Sequence, residues 1–89
     1  MTSSPPLATT ITVRYWAGAR AAAGLPEEQY DGPLTVAALR EAAIARHPES
    51  DRLPGVLAVC SVLIDGRQPG DDAVQPGSVV EFLPPFAGG

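Results

Sequence analysis

The sequence has no lysine. All six of its strongly basic residues are arginines, set against ten Asp and Glu, for a formal net charge of −4. A nucleic-acid binder needs a clustered basic face to displace counterions from phosphates, so that class of partner is not expected. Cys60 is the only cysteine, which rules out an internal disulfide and frees the fold from any need for an oxidising compartment. The longest apolar stretch, Val56 to Ile64, is too short to span a bilayer. Met1 to Pro6 has neither a basic nor an apolar signal region, so no membrane partner is expected and the cytoplasm is the expected location. With 89 residues, the chain has room for one domain with a small core.

What is present is clear local patterning. Thr2 to Thr10 is a Ser, Thr and Pro-rich leader. Ile11 to Trp16 alternates and is rich in β-formers, predicting a first strand. Ala19 to Ala23 suits one helical turn stopped by Gly24. Glu27 to Tyr30 is expected to return as a second strand, although Glu-Glu-Gln is poor strand material. Thr35 to His47 is the strongest helix signal, with Thr35 as cap, Leu34 and Leu39 at staple spacing, and Val36, Leu39 and Ala43 on one face flanked by Ile44. Pro48 ends it, and it is expected to be the only true helix.

Pro54 to Ala58 reads as a turn or irregular segment, and Val59 to Ile64 as a third strand closed by the tight-turn pair Asp65-Gly66. Pro69 to Asp72 is loop, Pro76-Gly77 a further turn, and Ser78 to Leu83 the last strand. The order β-β-α-β-β predicts an α+β fold of the β-grasp type: a mixed sheet crossed by one main helix. It comprises a leader (1–10), a folded body (11–83) and an extended tail (84–89).

No catalytic constellation lies inside the body. His47, beside Pro48 at a helix end, suits a solvated or capping role and lacks a Ser or Cys partner pattern. Cys60 is expected mid-strand as a small buried apolar group. Asp71-Asp72 has no companion ligands at metal spacing, and Glu49 and Asp51 suit a solvated turn, so no metal site is expected. Gly18 and Gly24 do not form a phosphate-binding loop. The chemistry is expected in the tail. Pro84-Pro85 removes two N–H donors and fixes φ, which ends the strand and stiffens the exit. Gly88-Gly89 has no side chains, so it fits a channel too narrow for any Cβ and presents a carboxylate at its tip.

Three stretches resemble the ubiquitin-like sulfur carriers of the MoaD/ThiS family, most closely the MoaD-type small subunit of molybdopterin synthase. They are Val13-Arg14-Tyr15-Trp16-Ala17 with Ala19-Arg20-Ala21-Ala22-Ala23-Gly24, Thr35-Val36-Ala37-Ala38-Leu39, and Pro76 through Gly89. The last is the specific one: an apolar pair, Pro-Pro, an apolar residue, a small residue, then Gly-Gly. The thiamine-pathway carrier is usually shorter and lacks the Pro-Pro step. Asp65 stands where relatives often have Asn, and Phe86 where Val is commoner, which implies a roomier partner groove.

The resemblance implies that a ubiquitin-activating-type adenylating enzyme (MoeB/ThiF-like) uses ATP to convert the Gly89 carboxylate to a mixed anhydride. A sulfurtransferase persulfide then displaces AMP and leaves a thiocarboxylate. A MoaE-type large subunit supplies the pocket where that sulfur passes to a pyranopterin precursor. The chain would bind no cofactor and would not be a catalyst alone.

Alternation of the end strands puts Ile11, Val13, Tyr15, Val80 and Phe82 on the inner face, with Thr12, Arg14, Trp16, Val79, Glu81 and Leu83 outward. Neighbouring end strands would then place Trp16 and Leu83 on one outer face at the tail root. Either the leader or a loop covers them, or they form a docking patch. Arg20 is either an ordinary surface charge or a contact for a partner carboxylate. Phe86, with Ala87, is expected to anchor in a partner groove. The competing functions are sulfur delivery in another pathway such as thiamine or cysteine synthesis, protein modification through Gly89, and a β-grasp interaction domain whose Gly-Gly is accidental. The absence of lysine makes the chain a poor acceptor of conjugation to itself.

Overall fold

Ile11, Val13 and Tyr15 of β1 (Thr10–Tyr15) are buried, whereas Arg14 between them is exposed. That alternation sets the two faces of the sheet in the computed structural model, which describes residues 9–70 and 73–85. β2 (Glu27–Asp31) returns antiparallel to β1, with Ile11 opposite Tyr30 and Val13 opposite Glu28. β4 (Val79–Leu83) lies parallel to β1 on its other side. β3 (Ser61–Ile64) completes the edge, antiparallel to β4, giving the order β2-β1-β4-β3. The first and last strands are thus the central pair of a mixed sheet, as expected for a ubiquitin-like β-grasp fold.

Three helices occur among the described residues, where one was expected. α1 (Ala17–Ala23) is longer than the expected single turn and stops at Gly24, whose φ of 86° is open to glycine and whose N–H bonds the Arg20 carbonyl. α2 (Val36–Arg46) is the long helix predicted from the sequence. Thr35 Oγ1 accepts the Ala38 N–H at 3.0 Å and caps it. Leu39 and Ala43 are fully buried, and Val36 and Ile44 pack beside them. The helix crosses the inner face of the sheet. The Arg40 guanidinium lies 5.9 Å from the Phe82 ring centre on β4, and that of Arg46 lies 3.8 Å from the Tyr30 ring on β2.

The segment expected to be irregular is instead α3 (Leu53–Val59). Pro54 sits in its first turn, where a missing N–H costs nothing, and Leu53 and Leu57 share one face that is fully buried. The helix therefore claims Val59 from the expected third strand. Cys60 is its C-cap, not a mid-strand residue, though its side chain is buried as foreseen. β3 closes through Asp65 and Gly66 at φ 51° and 81°, the left-handed pair of a type I′ turn. Asp65 Oδ1 also accepts the Val79 N–H at 2.9 Å, which pins the turn to the start of β4.

Candidate functional site

The parallel pairing of β1 with β4 continues one step past the strand. Trp16 donates its backbone N–H to the Phe82 carbonyl at 3.2 Å. Tyr15 and Phe82 are register partners, so Trp16 and Leu83 are the next residues outward on neighbouring strands. Ala17, at φ 47°, turns the chain sharply away immediately after Trp16. The indole is left on the outer side of the sheet with 44% of its surface exposed. Its Nε1–H donates to Glu81 Oε2 at 2.9 Å. Leu83 is half-buried and pairs with Ser61, the last rung of the β3–β4 ladder. Pro84 follows half-buried and Pro85 is exposed.

Trp16 and Leu83 therefore come together at the foot of the tail, as alternation predicted. Arg20 is exposed in α1 and, with Arg14, Tyr15, Trp16, Pro26 and Glu27, lines a shallow cavity of about 200 Å³. Arg14 turns its guanidinium to Glu27 at 3.5 Å, whereas Arg20 has no ion pair among the described residues. Phe86, Ala87, Gly88 and Gly89 lie outside the described residues, as do Asp71, Asp72 and residues 1–8 of the leader, one of the two alternatives for covering Trp16.

His47 is not a solvated helix end. Its backbone caps α2, but its side chain is largely buried and its Nε2 lies 2.8 Å from Glu28 Oε2. The same carboxylate oxygen accepts the hydroxyls of Tyr15 and Tyr30, each at 2.6 Å. Arg46 stands 3.8 Å from the other oxygen, and Glu49 stands 3.6 Å from His47 Nδ1. Burial opposes ionisation of Glu28. The hydrogen bonds from Tyr15, Tyr30 and His47 outweigh it and hold the carboxyl below its usual range. Burial first, then Glu28, pushes both phenols up, Tyr30 to about 12.

The cluster fastens β1, β2 and the end of α2 together. The sequence reading missed it, although Tyr30 on the inner face implies that Glu28, two residues earlier, shares that face. The outward partner of Trp16, Glu81, was also missed as a contact. Burial raises the Cys60 thiol, with Arg40 partly opposing the shift, so Cys60 is not an activated nucleophile. Among the described residues no group of three or more His, Cys, Asp or Glu is arranged to hold a metal ion. Among them, too, no helix is long and apolar enough to cross a membrane.

A profile of the ThiS family matches residues 13–89. A search of curated proteins finds no significant match. Among solved structures, the chain is similar to a protein described as molybdopterin converting factor subunit 1 from Pyrococcus furiosus. The two are 25% identical with a TM-score of 0.73, over 88% of this chain and 99% of that one. The small archaeal modifier protein SAMP1 of Haloferax volcanii shares the fold at 22% identity and a TM-score of 0.71, over 90% and 99% of the two chains. So does a chain in the complex of molybdopterin-converting factor subunits 1 and 2 from Helicobacter pylori, at 21% and 0.61, again over 90% and 99%. The profile covers all but the first twelve residues and the β-grasp topology agrees with it: the chain belongs to the ThiS family of ubiquitin-like sulfur carriers.

Proposed function

We propose that this chain carries sulfur on the carboxyl of Gly89 and serves as the small subunit of molybdopterin synthase. The observation that carries the reading is the arrangement at the tail root. The exposed Trp16 is bonded through its backbone to β4 two residues before Pro84-Pro85, so a docking residue and the spacer leave the body at one place. The similarity to the Pyrococcus furiosus subunit 1 supports the molybdenum-cofactor pathway as the setting.

In the proposed cycle the Gly89 carboxylate attacks the α-phosphorus of ATP on an adenylating enzyme, and pyrophosphate leaves. The terminal sulfur of a sulfurtransferase persulfide attacks the acyl carbon, and AMP leaves. A thiol then reduces the resulting acyl disulfide, freeing the thiocarboxylate for transfer to a pyranopterin precursor on a MoaE-type large subunit. The body contributes position: Trp16, Arg20 and Leu83 dock, Pro84 and Pro85 space, and Phe86 and Ala87 seat the tip. The proposed setting is the cytoplasm, and the chain itself holds no cofactor.

Incubation with ATP, a cognate adenylating enzyme and a persulfide donor, followed by intact mass measurement, tests this. The expected product has one oxygen replaced by sulfur, and it is consumed when the large subunit and precursor are added. An unchanged mass with a competent adenylating enzyme would remove every carrier reading. The shared fold of the small archaeal modifier protein supports a second reading, conjugation of Gly89 to lysines of other proteins. Lysine-linked adducts in place of the sulfur-exchanged mass would establish it.

A further inference from the structure

We infer that Glu81 reads the charge of whatever docks on the outer face of the sheet, and that the surface which fits presents an arginine or lysine within an apolar setting. This rests on the docking role proposed above. Glu81 is the outward residue at the middle of β4, a central strand, and it is only partly exposed. Its register neighbours are Arg14 on β1 and Leu63 on β3. Outward on the same strands lie the half-buried Val79 and Leu83, with Trp16 beyond the end of β1. The carboxylate thus has Leu63, Val79, Leu83 and Trp16 around it, with the exposed Arg14 as its one charged neighbour on the β1 side.

Its contact is neutral, the indole N–H at 2.9 Å, and among the described residues no cation comes within ion-pair distance. Arg14 is directed at Glu27 instead. A partner that covers the patch strips water from Glu81. A desolvated carboxylate with only one neutral donor is unfavourable, and Arg14 is already engaged with Glu27, so a covering surface that supplies a positive charge is favoured. A second copy of this chain is a poor occupant, because an isologous contact on this face brings two such carboxylates together and each chain carries a net charge of −4. An acidic or purely apolar surface is rejected for the same reason, which makes Glu81 a specificity determinant.

The test is the dissociation constant of the full chain for the purified MoaE-type large subunit and the adenylating enzyme from the same organism. It is measured for the wild type, Glu81→Gln, Glu81→Arg, Trp16→Phe and the Trp16→Phe/Glu81→Gln double variant. Glu81→Gln should weaken binding by about tenfold and flatten its salt dependence, and Glu81→Arg should weaken it by on the order of a hundredfold. Trp16→Phe keeps the ring and loses the N–H donor. The effect of Glu81→Gln should persist in that background. Binding by Glu81→Gln within about twofold of the wild type for both proteins would overturn the inference. So would a loss that disappears in the Trp16→Phe background, since Glu81 would then act only by holding the indole. A wild-type chain that binds neither protein would overturn the docking reading itself, and this inference with it.

Discussion

Cys60 shows how one position is read at the residue scale. The sequence pointed to a small buried apolar group, and the structure gives that outcome at a different address, the cap between α3 and β3. Burial keeps the thiol protonated at neutral pH, and only the thiolate is a good nucleophile. Alkylation of the native chain by iodoacetamide should therefore run on the order of a hundredfold slower than in denaturant, because reaction waits for opening of the core. Labelling at the denatured rate would show the cap to be open. His47 illustrates the opposite case. Its neighbours Arg46 and Pro48 say only that a helix ends there, while its role is set by Glu28, nineteen residues away. No local pattern contains that partner.

At the scale of elements, the strongest signal held, and packing decided the weak ones, for β2 and against an irregular segment at α3. α2 was legible because a cap, a staple and an apolar stripe agree. α3 was not, because Pro54 and Gly55 read as turn residues. It forms because Leu53 and Leu57 reach the core only if the segment is helical. β2 was doubtful for its Glu-Glu-Gln. The structure resolves the doubt by placing Glu27 and Gln29 outward and giving the inward Glu28 four polar neighbours: Tyr15, Tyr30, His47 and Arg46.

That clamp has a pH signature. The folded-state pKa of Glu28 is below its unfolded value, so its contribution to stability is complete above the ordinary glutamate value of about 4.3. It is lost as pH falls further, when the unfolded chain takes up a proton that the folded chain still refuses. In urea unfolding followed across pH, the stability gap between wild type and Glu28→Gln should be constant near neutrality and shrink in acid. A gap that widens as pH falls would contradict the clamp.

For the whole molecule, the parallel pairing of β1 with β4 is the decisive arrangement. It sets Trp16 one rung beyond Phe82, and hence at the exit of the tail, although the two residues are far apart in sequence. In the proposed cycle the body is the handle that delivers Gly89 into another protein. Appending a single alanine after Gly89 should leave the thermal midpoint within about 1 °C, since chain ends are where added residues are best tolerated. Sulfur loading, read by intact mass, should be abolished. A loaded extended chain would contradict the terminal-carboxyl mechanism.

The sequence by itself determined the faces of the end strands, the main helix and the tight turn at Asp65-Gly66, because each depends on residues within a few positions of one another. From these the β-grasp order followed. The tertiary structure alone decided that Leu53 to Val59 is helical, that His47 and two tyrosines converge on Glu28, and that Trp16 is held by Glu81. Most of those outcomes depend on pairs well separated in sequence, from 13 and 19 residues for Tyr15 and His47 with Glu28 to 65 for Trp16 and Glu81. The physical reason is that burial and long-range hydrogen bonding select among local conformations that short-range preferences leave nearly equal in energy.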